Sequence, residues 1–260
     1  MIKIDLKELM AAGAHFGHKS SRWHPKMAEF IYGKRDGAHI IDLTKTEVEL
    51  DKALKKLTET AASGKKILFV GTKKQLKDIT REAAEAVEMP YVTERWVGGA
   101  LTNSETVAKQ IKKVKNLEKR MATGELEAKY SKLEVQRFQE EIETLNTRYG
   151  GIKEMREKPA MLVVSAADAD KNAIKEANSL KIPVVAITDT NVDPTAIDFP
   201  IPANDDSLKA VKLILSYITE AIKDGLSKVE KTEPVVKISK ASDMVAPKRP
   251  KPIKKTLKLK

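Results

Sequence analysis

Not one of the 260 residues is a cysteine, which excludes a disulfide framework and a thiolate zinc site. Only two tryptophans and four histidines are present, and aromatic side chains make up 5% of the chain. No apolar run reaches the roughly 18 residues that a membrane span needs. The opening "MIKIDLKEL" lacks a signal-peptide profile, so the expected location is cytoplasmic. Motifs are missing too. The sequence contains no G-x-G-x-x-G, no G-x-x-x-x-G-K-[ST], no G-x-S-x-G elbow and no H-E-x-x-H.

An apolar share of 41% is enough for a real core, and 33% charged residues is high for a purely catalytic globule. The net charge of +11 is unevenly placed. Residues 228–260 carry eleven Lys or Arg against three Asp or Glu, a net +8, which leaves only +3 for residues 1–227. The last fourteen residues, "PKRPKPIKKTLKLK", contain seven basic residues and no acid. Such a block repels itself and builds no core, so residues 227–260 are expected to be a disordered basic tail that solubilises the chain or lies on phosphate.

The body alternates strand and helix. "KKILFVGT" reads as a strand buried on both faces, "QLKDITREAAEAV" as a helix and "MPYVTE" as a second strand. The rhythm resumes with "AMLVVSA", "KNAIKEANSL", "IPVVAITD" and "DFPIP". A closing helix lines up Leu208, Val211, Leu215, Ile218 and Ile222, with Gly225 as its expected stop. Thr44 and Glu47 suggest a capping box for a helix carrying Leu50, Leu54 and Leu57. Repeated β-α-β units predict an α/β fold, a doubly wound parallel sheet over 1–102 and 151–226.

Residues 103–150 interrupt it. Thr102 with Glu105 and Ser131 with Glu134 read as capping boxes. Val107, Ile111, Val114 and Met121, then Phe138, Ile142, Leu145 and Tyr149, mark two helices closed along a narrow seam, an antiparallel coiled-coil hairpin. Its other faces are densely charged, either as a solvated surface or as an arm for another macromolecule.

Basic and aromatic residues interleave at two places, Arg22, Trp23 and Lys26 in "SRWHPKM" and Arg95 and Trp96 in "ERWVGGALTN". Lys73 and Lys74 follow the first sheet strand, and Lys112 and Lys113 lie on the hairpin. Arginine forks phosphate and tryptophan stacks on an exposed base, so these nine positions are the RNA-binding candidates. The competing reading is that both tryptophans fill core gaps.

All four histidines lie in residues 15–39. His15 is expected to satisfy the backbone of a tight turn, and His39 to be a satisfied strand-end residue. His18 differs, because Asp189 ends a sheet strand and Asp205 and Asp206 open the last helix, both on the ligand-binding edge of such a sheet. His18, Asp189 and Asp206 together suit zinc with one open position, whereas acids at a helix start are also ordinary caps. No other cofactor, no catalytic residue and no small-molecule substrate is expected.

Taken in order, "GAHFGHKSSRWHPKM", "IYGKRDGAHIIDLTKT", "ILFVGTKKQ", "RWVGGALTN", "GGIKEM" and "IPVVAITDTNVDPTAIDFPIPANDDS" resemble the successive signatures of the bacterial small-subunit ribosomal protein S-two family over residues 3–225. The resemblance implies a flavodoxin-like α/β domain with a projecting hairpin. It also implies a structural role on the small ribosomal subunit, contact with its ribosomal RNA and with neighbouring ribosomal proteins, and docking of the large protein S-one. The family usually has asparagine at the position of His24 and an aromatic at that of Ser104. The alternative class is a nucleotide- or metal-dependent enzyme on the same fold.

Overall fold

The computed structural model describes residues 2–155 and 157–232; of the tail expected to be disordered over 227–260, residues 227–232 instead continue the last helix, and the rest lies outside the described residues. In chain order the elements are α1 (Leu6–Ala11), β1 (Phe16–Lys19), a 3-10 turn (Pro25–Phe30), β2 (Ile31–Arg35), β3 (Ala38–Ile41), α2 (Leu43–Ala62), β4 (Ile67–Val70), α3 (Lys77–Glu85) and β5 (Tyr91–Val92). There follow α4 (Ser104–Ala122), α5 (Glu125–Lys129), α6 (Lys132–Tyr149), β6 (Met161–Val164), α7 (Lys171–Ser179), β7 (Val184–Thr188), β8 (Phe199–Pro202) and α8 (Leu208–Thr232).

The apolar runs of β4, β6 and β7 are buried at every position. Their side chains alternate between two cores. Ile67, Phe69, Met161, Val163, Val185 and Ile187 meet α2 and α8 on one face, while Leu68, Val70, Leu162, Val164, Val184 and Ala186 meet α7 on the other. The five strands pair in parallel in the order β5-β4-β6-β7-β8. Counted from the first strand of the sheet this is 2-1-3-4-5, the doubly wound sheet that the β-α-β rhythm predicts with the flavodoxin-like winding that the family resemblance implies.

Ahead of it stands a three-stranded antiparallel sheet, β1-β3-β2, that sequence reading did not find. Its strands are short, bulged and mostly half-exposed, so they show no clean two-residue alternation. The signal that was available is Asp36-Gly37 between β2 and β3. Both residues adopt positive φ, +51° and +82°, as a tight hairpin turn requires.

The insertion holds the expected seam. Val107, Val114 and Leu117 of α4 are buried with Leu145 and Tyr149 of α6, and Ile111, Phe138 and Ile142 are half-buried. A short helix, α5, stands where a plain turn was expected, and its fully buried Leu126 plugs the end of the seam. The Glu134 carboxylate accepts from the Ser131 amide at 3.0 Å, so that capping box forms.

Two other caps are corrected. The cap of α2 is Asp42, which accepts from the Thr44 amide at 3.0 Å, so Thr44 sits inside the helix. Helix α4 starts at Ser104, and Thr102 is bonded elsewhere. Likewise α8 begins at Leu208, just after Asp205 and Asp206.

Nor does Gly225 stop α8, which continues to Thr232. A Cβ at Gly225 would lie 2.6 Å from both the Ala61 Cβ and the Thr58 carbonyl of α2, so the glycine is there for close helix approach. In a free helix Gly→Ala gains about 1 kcal/mol. Here overpacking costs about 1–3 kcal/mol. Gly225→Ala is therefore expected to lower the midpoint of urea unfolding, and a midpoint above the parent's would show that α2 and α8 separate freely.

Candidate nucleic-acid interface

In a doubly wound sheet a ligand enters at the carboxyl ends of the strands, where the winding reverses. That point lies between β4 and β6, and the chain itself occupies it. Thr72, just after β4, donates its amide and its hydroxyl to the carboxylate of Asp170 at 3.2 and 2.7 Å. Asp170 is buried at the start of α7, and burial pushes its pKa up against the opposing Thr72 bonds. Alongside, the Thr80 and Ser165 hydroxyls meet at 2.8 Å, and a Cβ at Gly71 would collide with Thr80. The amide and hydroxyl of Thr72 and the hydroxyls of Thr80 and Ser165 are thus satisfied internally.

Two strands further along the same edge lies an ion-pair cluster. β1 delivers His18, whose Nδ1 stands 3.0 Å from Asp189 Oδ1 and whose Nε2 stands 3.7 Å from Asp206 Oδ2. The His18 amide also donates to the Thr190 hydroxyl at 2.9 Å. Lys73 places its ammonium 2.9 Å from Asp205 and 2.7 Å from Asp206. The Asp189 hydrogen bond raises the His18 pKa, outweighing the opposite effect of burial. Burial pushes Asp205 up, and the Lys73 bond pulls Asp206 down.

The three residues expected to hold zinc are thus brought together, but with the Lys73 ammonium on the carboxylate of Asp206. Among the described residues no group of three or more His, Cys, Asp or Glu side chains is placed to hold a metal ion. As arranged they form a clamp between the small sheet and the parallel one.

The RNA-binding candidates divide by environment. Arg22, Lys74, Arg95 and Lys112 are exposed and have no acidic partner among the described residues. Trp23 is 37% exposed and lies over the His39 ring with centroids 5.1 Å apart. Lys26 is committed to Asp193 at 2.8 Å, Lys73 to the clamp, and Lys113 to Glu141 of α6. Trp96 is corrected from stacking residue to core residue, because it is buried and its ring N–H donates to Glu176 at 3.0 Å.

The other histidines also differ from expectation. The buried Nδ1 of His15 and both ring nitrogens of His39 have no hydrogen-bond partner, and His39 lies beneath Trp23 instead. His24 caps the 3-10 turn, accepting from the Lys26 amide at 3.3 Å.

Sequence reading missed the rest of this face. Tyr32 sits at a bulge in β2 and is 80% exposed, and the exposed Lys34 pairs in register with His39, whose ring meets Trp23 at a tilt of 41°. Lys19 and Arg35 are also exposed on these strands.

These features define a doubly wound α/β protein with an inserted helical arm and a dispersed cationic surface. The chain belongs to the ribosomal protein S2 family, whose sequence model matches residues 9–225. It is 44% identical over 234 residues to the small ribosomal subunit protein uS2 of Fusobacterium nucleatum, covering 90% of this chain and 95% of the relative. The uS2 of Flavobacterium johnsoniae is 47% identical, covering 86% and 88%, and that of Coprothermobacter proteolyticus 46%, covering 86% and 84%. No helix of the described residues is long and apolar enough to cross a membrane.

Two outcomes follow for the clamp. A histidine whose folded pKa is raised stabilises fully below its unfolded value of about 6.5, and that contribution is lost as pH rises through the folded value. The stability difference between the parent and His18→Gln, from urea unfolding, is therefore expected to be largest below pH ~6.5 and to shrink above it. A difference that grows with pH would contradict the clamp. The ion-paired arrangement also predicts no zinc by elemental analysis of the purified protein. Zinc that His18→Ala removed would mean that metal displaces Lys73.

Proposed function

We propose that the chain is a structural constituent of the small ribosomal subunit, ribosome-associated in the cytoplasm, that binds small-subunit ribosomal RNA and carries out no catalysis. The observation that carries this reading is the spread of unpaired cations, Arg22, Lys74, Arg95 and Lys112, over the small sheet, the sheet edge and the hairpin. A scaffold distributes its affinity over many phosphate contacts in this way, whereas an enzyme gathers its sensitive groups in one cleft. The Thr72–Asp170 closure of the crevice supports the same side. Trp23, next to Arg22 in the chain, is the base-stacking surface of the reading. Contact with neighbouring ribosomal proteins and docking of S-one on the α/β body rest on the family membership.

Arg22→Ala, Lys74→Ala, Arg95→Ala and Lys112→Ala are each expected to weaken binding to small-subunit RNA modestly and to reduce the log–log salt slope by about one unit. Lys113→Ala removes a cation already neutralised by Glu141 and should change the slope less. Trp23→Ala is expected to cost about 1–3 kcal/mol of RNA affinity with little change in thermal unfolding. Four unchanged slopes, or recovery of the protein wholly outside ribosomal fractions on a sucrose gradient, would end this reading.

A further inference from the structure

The outgoing root of the hairpin is folded around one carboxylate. Glu176 of α7 receives five donors from residues 96–102. Its Oε1 accepts from the Trp96 ring N–H at 3.0 Å and the Gly99 amide at 2.8 Å. Its Oε2 accepts from the Leu101 amide at 3.1 Å and from the Thr102 amide and hydroxyl at 3.3 and 3.2 Å. Gly99 has a φ of +85°, the left-handed conformation that glycine adopts without strain and that helps turn this run of amides toward one point. Among the described residues no Lys, Arg or His forms an ion pair with it. Burial opposes ionisation of Glu176, and the Trp96, Gly99, Leu101 and Thr102 bonds together overcome it and leave the pKa below the usual glutamate range.

The carboxylate also serves α4. The cap residue of that helix, Asn103, makes no side-chain cap bond, and the negative charge sits beside the positive end of the helix dipole. The returning root is attached differently. Gly151, just after α6, presses on the Tyr91 carbonyl of β5 so closely that a Cβ would not fit. One root is thus fixed by a close backbone contact, and the other by charge added to its buried apolar side chains.

We propose that Glu176 is a positioning residue whose carboxylate fixes the direction in which the α4–α6 hairpin leaves the α/β body. The seam inside the hairpin is built from Val114, Leu117 and Leu145 and does not depend on it. Hydrogen bonds to an ionised acceptor are roughly twice as strong as neutral ones. A glutamine in the same place would also turn an N–H₂ group toward donors that already point inward.

The absence of native cysteine makes the test direct. Lys65→Cys and Lys132→Cys, both at exposed positions on the body and the hairpin tip, place two spin labels on the full-length protein. Pulsed electron resonance is expected to give one narrow distance distribution in the parent. With Glu176→Gln it should broaden, while the far-ultraviolet helical signal stays unchanged. Thr102→Val removes a single donor and should broaden the distribution less, and it gives the same test should Glu176→Gln fail to fold. A distribution as narrow as the parent's in the folded variant overturns the proposal.

A second readout rests on the RNA-binding reading. In competition with the parent for small subunits, Glu176→Gln should incorporate about tenfold less well, equivalent to ~1.4 kcal/mol. Broadening without loss of incorporation would leave the lock standing and count against the hairpin as an RNA-contacting arm.

Discussion

A parallel sheet with apolar side chains on both sides leaves neither face free for water, and the rest of the molecule follows from covering both. Helices α2 and α8 cover one face so closely that their contact has no room for a Cβ at Gly225. The other face is covered only in part by α7. Trp96, Leu101, Val107 and Tyr149, from the roots of the insertion, complete it. The arm is therefore welded into the second core, and its base contributes to the stability of the whole body.

Covering both faces leaves the strand ends as the place where polar chemistry collects. In this chain much of that edge is spent on internal bonds. Asp170 holds Thr72, and His18, Asp189, Lys73 and Asp206 tie the N-terminal sheet to it. Among the described residues, Arg22, Lys74, Arg95 and Lys112 remain exposed without an acidic partner, spread over separate parts of the surface as a large polyanion would meet them. The same winding that elsewhere frames a nucleotide here supports a broad contact face, which is why the site has to be argued from its side chains and not from the fold.

The parallel sheet was legible because its strands are short continuous apolar runs, and the hairpin because its seam repeats at helical spacing over many residues. Local signals with two physical meanings misled. Gly225 ends an apolar stripe as a stop would, yet close helix contact requires the same missing side chain. Thr102 and Glu105 have capping-box spacing, but Thr102 is claimed by Glu176, a residue 74 positions away. The Arg-Trp pairs look alike in sequence, and only the fold separates the exposed Trp23 from the buried Trp96. The nearness of Asp189 and Asp206 was legible from topology, since one follows a sheet strand and the other precedes the last helix, whereas β1, which delivers His18 to them, was not foreseen. Nor was Lys73 legible as the fourth member of the group, because the loop after β4 reads equally well as a phosphate contact.

The bonds from Glu176 to Trp96 and Thr102 also impose an order in time. A ribosome extends a chain from its N-terminus, and structure forms behind the point of synthesis. The whole hairpin, Ser104–Tyr149, is synthesised before the residue that anchors its outgoing root has been made. Until α7 follows, the donors of residues 96–102 lack their native acceptor. The arm takes its bearing only after translation has passed residue 176.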